Sequence, residues 1–198
     1  TKTKTVLPTN VSIKVKPFLF LIKVMNIYIL THYDIICHMA KRRISKKIII
    51  GNWKMNPRIA GEAEKWFTAV SKSLPAVKNT EIVICPPFIY LDRLSKIRTS
   101  KIKLGAQDAF LGDTGPFTGE ISPEMLYDMG IRYIILGHSE RRALGETNAV
   151  VNKKIKGALS ASLIPILCVG EIARDSSHEY FSFVKSQIKE CLAGIPKA

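Results

Sequence analysis

Apolar residues along this chain gather into short runs that recur at a near-constant interval. "KIIIGNW" (47–53), "EIVICP" (81–86), "KIKLGAQ" (101–107), "RYIILGH" (132–138) and "LIPILCVG" (163–170) are aliphatic or β-branched through their centres and break at Gly, Pro or a polar residue. Runs this continuous predict strands buried on both faces, as in a parallel sheet. Between and after them the polar and apolar positions switch to a helical period, at "AGEAEKWFTAVSKSL" (60–74), "YLDRLSKI" (90–97), "SPEMLYDMG" (122–130), "NAVVNKKIKGALSAS" (148–162) and "HEYFSFVKSQIKECLAG" (178–194). Ser122, Pro123 and Glu124 make a good helix entry, an N-cap followed by proline in the first turn.

The result is a βα unit repeated five times, an α/β fold. Strict βα repetition fits a doubly wound open sheet or a (β/α)8 barrel. The first strand ends in "GNWKMN", with one glycine, and so lacks the Gly-rich phosphate loop of a dinucleotide-binding sheet. A barrel of eight units takes about 250 residues, or about 31 per unit. Residues 48–198 number 151, which suits about the first five βα units of a barrel.

Residues 1–45 differ in character from residues 46–198. "TKTKTVLPTNVSIKVK" is polar and carries Pro8, and "FLFLIKVMNIYIL" (18–30) is apolar but interrupted by Lys23 and Asn26. Thirteen residues are too few to span a bilayer, which takes about 20. The small-residue cleavage pattern of a signal peptide does not follow. The chain begins with Thr1, while "MAKRRISKK" (39–47) has the form of a start. The expectation is therefore that 1–45 is an atypical extension, upstream or disordered sequence, with a membrane anchor or targeting segment as the alternative.

Charge enters the picture mainly through that extension. The formal net charge is +14, but residues 1–47 hold ten Lys/Arg and one Asp, while 48–198 hold twenty basic and fifteen acidic residues. The excess says little about the folded part, and no basic helix or aromatic-basic module accompanies it, which argues against nucleic-acid binding. Cys37, Cys85, Cys168 and Cys191 are widely spaced, neither a zinc site nor a small disulfide framework. Cys85 and Cys168 lie inside apolar runs and read as buried thiols, which suits a reducing, cytoplasmic setting.

In a (β/α)8 barrel the active site gathers at the C-terminal ends of the strands. The first strand delivers Asn52 and Lys54, two apart and so on the same side of an extended chain, with Trp53 turned into packing. A lysine at a strand mouth suits an anionic substrate. The fourth strand delivers His138 after Gly137, an imidazole able to exchange protons near neutral pH. Ser139 can serve the turn that follows, and Glu140 can pair with Lys54 or an arginine. Taken singly, a lysine after a strand or a loop histidine is usually only a solvated or hydrogen-bonded surface group. "GHSERR" at a strand end is more specific.

"IIIGNWKMN", "GAQD", "GPFTGEISPEML", "YIILGHSERR" and "PILCVGE" stand in order and spacing that resemble the triosephosphate isomerase family, from residue 47 to about 175. The resemblance implies a TIM barrel and an aldose–ketose isomerase that interconverts dihydroxyacetone phosphate and glyceraldehyde 3-phosphate through an enediol(ate), in glycolysis and gluconeogenesis. It implies that Asn52 and Lys54 bind the triose phosphate, that Lys54 neutralises its phosphate-bearing end, and that His138 is the electrophile. Ser139, Glu140 and Glu171 become supporting residues, Glu171 as a partner for the arginine after His138. Gln107 and Cys168 match positions near the active site and core. The 112–120 loop resembles the family's protruding dimer loop, with Thr118 and Gly119 reaching a second subunit of a homodimer. No metal, organic cofactor, nucleic acid or membrane is implied.

The departure concerns the catalytic base. The family's base is a glutamate at the end of the sixth strand, and the glycine-rich phosphate turns belong to the seventh and eighth; none of the present motifs matches them. As written, the chain is expected to lack the base, to expose the edges of its first and fifth barrel strands, and to be inactive alone. The alternative function is a non-catalytic fragment or pseudogene product that retains at most the dimer-interface loop.

Overall fold

The computed structural model describes residues 21–24, 27–30, 47–75, 79–171 and 180–196. Residues 1–20 and most of the "MAKRRISKK" stretch lie outside them. The order of elements is β1 (Leu21–Val24), β2 (Ile27–Leu30), β3 (Lys47–Asn52), α1 (Ala60–Ser73), β4 (Thr80–Cys85), α2 (Phe88–Ser95), β5 (Lys103–Ala106), α3 (Pro123–Asp128), β6 (Tyr133–Leu136), α4 (Ser139–Ala143), α5 (Asn148–Ser160), β7 (Ile164–Leu167) and α6 (Tyr180–Cys191).

The strands form one sheet in sequence order. β3 to β7 pair in parallel, each with its successor, and curl as part of a (β/α)8 barrel. The five expected strands are those five. Side chains alternate along them with a period of two, and both faces are buried. Ile50, Val83, Cys85, Tyr133, Ile135, Ile166 and Cys168 pack together on one face. On the other face Ile82 and Ile84 pack with Ala63, Phe67, Tyr90 and Leu94 of α1 and α2. Ile134 and Leu136 pack likewise with Leu126, Val151 and Ile155 of α3 and α5. Burying apolar surface on both faces is what makes these runs continuous, at about 25 cal/mol per Å2.

Two differences from the sequence reading have simple causes. The stretch after His138 forms a separate short helix, α4, because Gly145 adopts φ 99° and breaks it from α5, whose N-cap Thr147 accepts the Val150 N–H. The first barrel strand is not an open edge. β1 and β2 form an antiparallel hairpin whose paired ends, Val24 and Ile27, are three residues apart, and β2 pairs with β3 from Ile27–Gly51 to Leu30–Ile48. No helix among the described residues is long and apolar enough to cross a membrane.

Candidate active site at the strand mouths

The parallel arrangement brings the C-terminal ends of β3, β4, β5, β6 and β7 to one side of the sheet. Asn52 closes β3 and is buried, and its Oδ1 accepts the Lys54 N–H at 2.9 Å. That bond accompanies an unusual backbone: Lys54 has φ 53°, a left-handed conformation that costs a non-glycine residue about 1–2 kcal/mol. Such a conformation persists only where its surroundings over-determine it. Trp53 turns to the opposite side and meets Trp66 edge-on at 5.8 Å, the packing role expected of it.

His138 follows β6. Gly137 adopts φ 69°, and a Cβ there would come 2.8 Å from an Arg142 guanidinium nitrogen, so only glycine fits the turn without displacement. His138 is the N-cap of α4, and its Nδ1 accepts the Glu140 N–H at 3.3 Å. In that contact Nδ1 is the acceptor, the arrangement of a ring that carries its hydrogen on Nε2. The Glu140 Oε2 lies 3.5 Å from the same Nδ1. Glu140 Oε1 accepts from Lys54 Nζ at 2.5 Å. Lys54, Glu140 and His138 thus form one linked group across β3 and β6, although 84 residues separate Lys54 from His138 in the chain.

Ser139 opens α4 beside them, and Glu171 is half-buried just beyond β7. The guanidinium of Arg142 donates to Gly137 O at 2.8 Å and Asn148 Oδ1 at 2.6 Å, and lies 3.5 Å from Cys168 O. It ties the mouth of β6 to β7 and α5. Thr118 and Gly119 lie on the exposed 112–120 loop, well away from the Lys54–Glu140–His138 group in sequence, and Gly119 has φ 92°. The Phe110 and Phe117 rings pack at 4.5 Å and brace the loop's base.

Burial pushes the Cys168 thiol up to about 12, and it pushes the Cys85 thiol higher still. Neither can act as a thiolate near neutral pH. A charge cluster that the sequence reading missed lies behind the mouth. Lys154 Nζ contacts both Asp108 carboxylate oxygens at 2.8 Å and Glu146 Oε1 at 2.5 Å, and Arg141 Nε reaches Asp108 at 3.0 Å.

The family model for triosephosphate isomerase matches residues 47–198. The chain belongs to the triosephosphate isomerase family. It is 46% identical over 153 residues to the triosephosphate isomerase of Alkaliphilus metalliredigens, covering 76% of this chain and 61% of that relative. It is 47% identical over 151 residues to the one from Dehalococcoides mccartyi strain CBDB1, covering 75% and 59%, and 43% identical over 153 residues to the one from Endomicrobium trichonymphae, covering 76% and 61%. The chain therefore spans about three fifths of the length of the curated relatives it matches. The triosephosphate isomerase match begins at Lys47, the first residue of β3, and excludes the β1–β2 hairpin.

Proposed function

We propose that this chain carries the electrostatic half of a triose-phosphate isomerase site. Asn52 and Lys54 bind the substrate, Lys54 neutralises the phosphate-bearing end of dihydroxyacetone phosphate or glyceraldehyde 3-phosphate, and His138 donates from Nε2 to the carbonyl oxygen. As a proton leaves the carbon alpha to that carbonyl, charge develops on oxygen, and a fixed neutral donor stabilises it without reorganisation. A neutral imidazole suits this task because it gives a hydrogen bond without a full proton transfer before the enediol(ate) forms. Glu140 holds Lys54 in place between turnovers and caps the geometry from α4. The base that takes the carbon-bound proton belongs, by the family resemblance, to a sixth strand. The reading extends to a cytoplasmic homodimer joined through the 112–120 loop, with Thr118 and Gly119 at the contact.

The observation that carries the proposal is the linked Lys54–Glu140–His138 group, with His138 Nδ1 turned to the Glu140 N–H. The test is the isomerisation of dihydroxyacetone phosphate by the product of the whole reading frame. Lys54→Ala and His138→Leu should each lower turnover by about a hundredfold or more, the usual loss when one preorganised charge or donor is removed. Turnover unchanged in both variants would remove these residues from the site.

A further inference from the structure

The left-handed backbone of Lys54 is held from both sides. Asn52 Oδ1 accepts its N–H, and its carbonyl accepts from Gln107 Nε2 at 2.8 Å. The same Nε2 donates to the Cys85 carbonyl, also at 2.8 Å. A primary amide nitrogen has two hydrogens, and here both go to backbone carbonyls. This fixes which way round the carboxamide lies, because Oε1 in that place would face two acceptors. The Cys85 carbonyl in turn accepts the Trp53 N–H at 3.0 Å. Gln107, just past β5, therefore ties the end of β4 to the two residues that follow β3.

We propose that Gln107 is the positioning residue for Lys54: its carboxamide locks the left-handed turn that delivers the Lys54 ammonium to Glu140 at the barrel mouth. This rests on the reading of Lys54 as the substrate's phosphate partner. A lysine released from that turn relaxes toward the ordinary right-handed or extended regions, and its side chain then leaves Cα in a different direction. Asn52 cannot hold the turn alone, since it engages the N–H and leaves the following peptide plane free to rotate. A glutamate or a methionine of similar length has no pair of N–H hydrogens to give.

The experiment is a double-mutant cycle between Gln107→Met and Lys54→Met, measured as kcat/KM and KM for dihydroxyacetone phosphate on the product of the whole reading frame. Gln107→Met should lower kcat/KM about tenfold to a hundredfold where Lys54 is present, the scale of loss when a catalytic group is misplaced. In the Lys54→Met background the same change should cost less than about twofold, because residues acting through one another are not additive. Gln107→Glu keeps the shape without the N–H donors and serves if the methionine variant does not fold. Equal losses in the two backgrounds would mean a general structural role and overturn the proposal. If Lys54→Met alone leaves kcat/KM unchanged, the substrate reading fails and the proposal falls with it. If Lys54→Met is damaging and Gln107→Met harmless, only the positioning role is lost.

Discussion

Lys154 is 5% exposed, and an ammonium in that position needs compensation for lost hydration. Asp108 and Glu146 supply it, while the second Glu146 oxygen, Oε2, is buried with no hydrogen-bond donor. Removing the cation leaves Asp108 with Arg141 alone and the buried Glu146 carboxylate without its lysine, so Lys154→Met should destabilise the fold by about 3–5 kcal/mol at neutral pH. The pH dependence follows from Asp108. Burial raises its carboxyl above the ordinary value of 3.8, while Lys154 and Arg141 pull it back. The folded chain thus holds that proton more tightly than the unfolded chain, and stability is lost as pH rises from 3.8 through the raised value. Without Lys154 the window extends upward, so the stability gap between Lys154→Met and the parent should be wider at about pH 8 than at about pH 5. Chemical denaturation followed by fluorescence of the Trp53–Trp66 pair measures both; a gap independent of pH would contradict the linkage. The sequence held no sign of this cluster. Lys154 stands in "NKKIKG" among lysines that look alike, and its partner Asp108 is 46 residues away. Lys54 and His138 were legible because each follows an apolar run that must surface. Gln107 could be noticed there only by resemblance, since its task depends on carbonyls from two other strands.

Among the elements, the junction of β6 with α4 shows how far a periodic pattern can be read. The strand was evident in "YIIL", and its end in the glycine that follows. The role of Gly137 is steric as well as torsional, and that part needed the fold: Arg142 fills the space that a Cβ would take and donates to the Gly137 carbonyl. Gly137→Ala should therefore cost about 1–2 kcal/mol for the left-handed backbone alone, and more from displacing Arg142. Because Arg142 also reaches Asn148, the damage should spread to α5, seen as faster amide exchange at the start of that helix. Loss of stability without that spread would place the whole effect in the turn. Helix boundaries were the less legible part. α2 begins at Phe88 rather than Tyr90 because Pro87, with φ −53°, is the N-cap. The exposed Ile89 carried no periodic signal that would place it in the helix.

At the scale of the whole molecule, the sheet's two sides are handled differently. The outer side of β3 was expected to be bare, yet β2 pairs along it. Residues 18–30 read as a run too short to span a bilayer and without a signal-peptide cleavage pattern, and a strand's pairing partner is not encoded locally. On the other side, β7 has no further strand among the described residues. The N–H groups of Ile164 and Cys168 donate toward β6, to Arg132 O at 2.8 Å and Leu136 O at 2.9 Å. Alternation along a strand then turns position 165 outward, and Pro165 has no N–H to offer there. A strand laid along that side of β7, as the sixth strand of a (β/α)8 barrel would be, meets a gap in the donor ladder at position 165. Pro165→Val supplies the missing N–H, so in the product of the whole reading frame it should raise stability by about 1 kcal/mol, the worth of one added hydrogen bond, read by chemical denaturation. A loss of stability would show instead that the fit of the proline ring among its neighbours outweighs the absent donor.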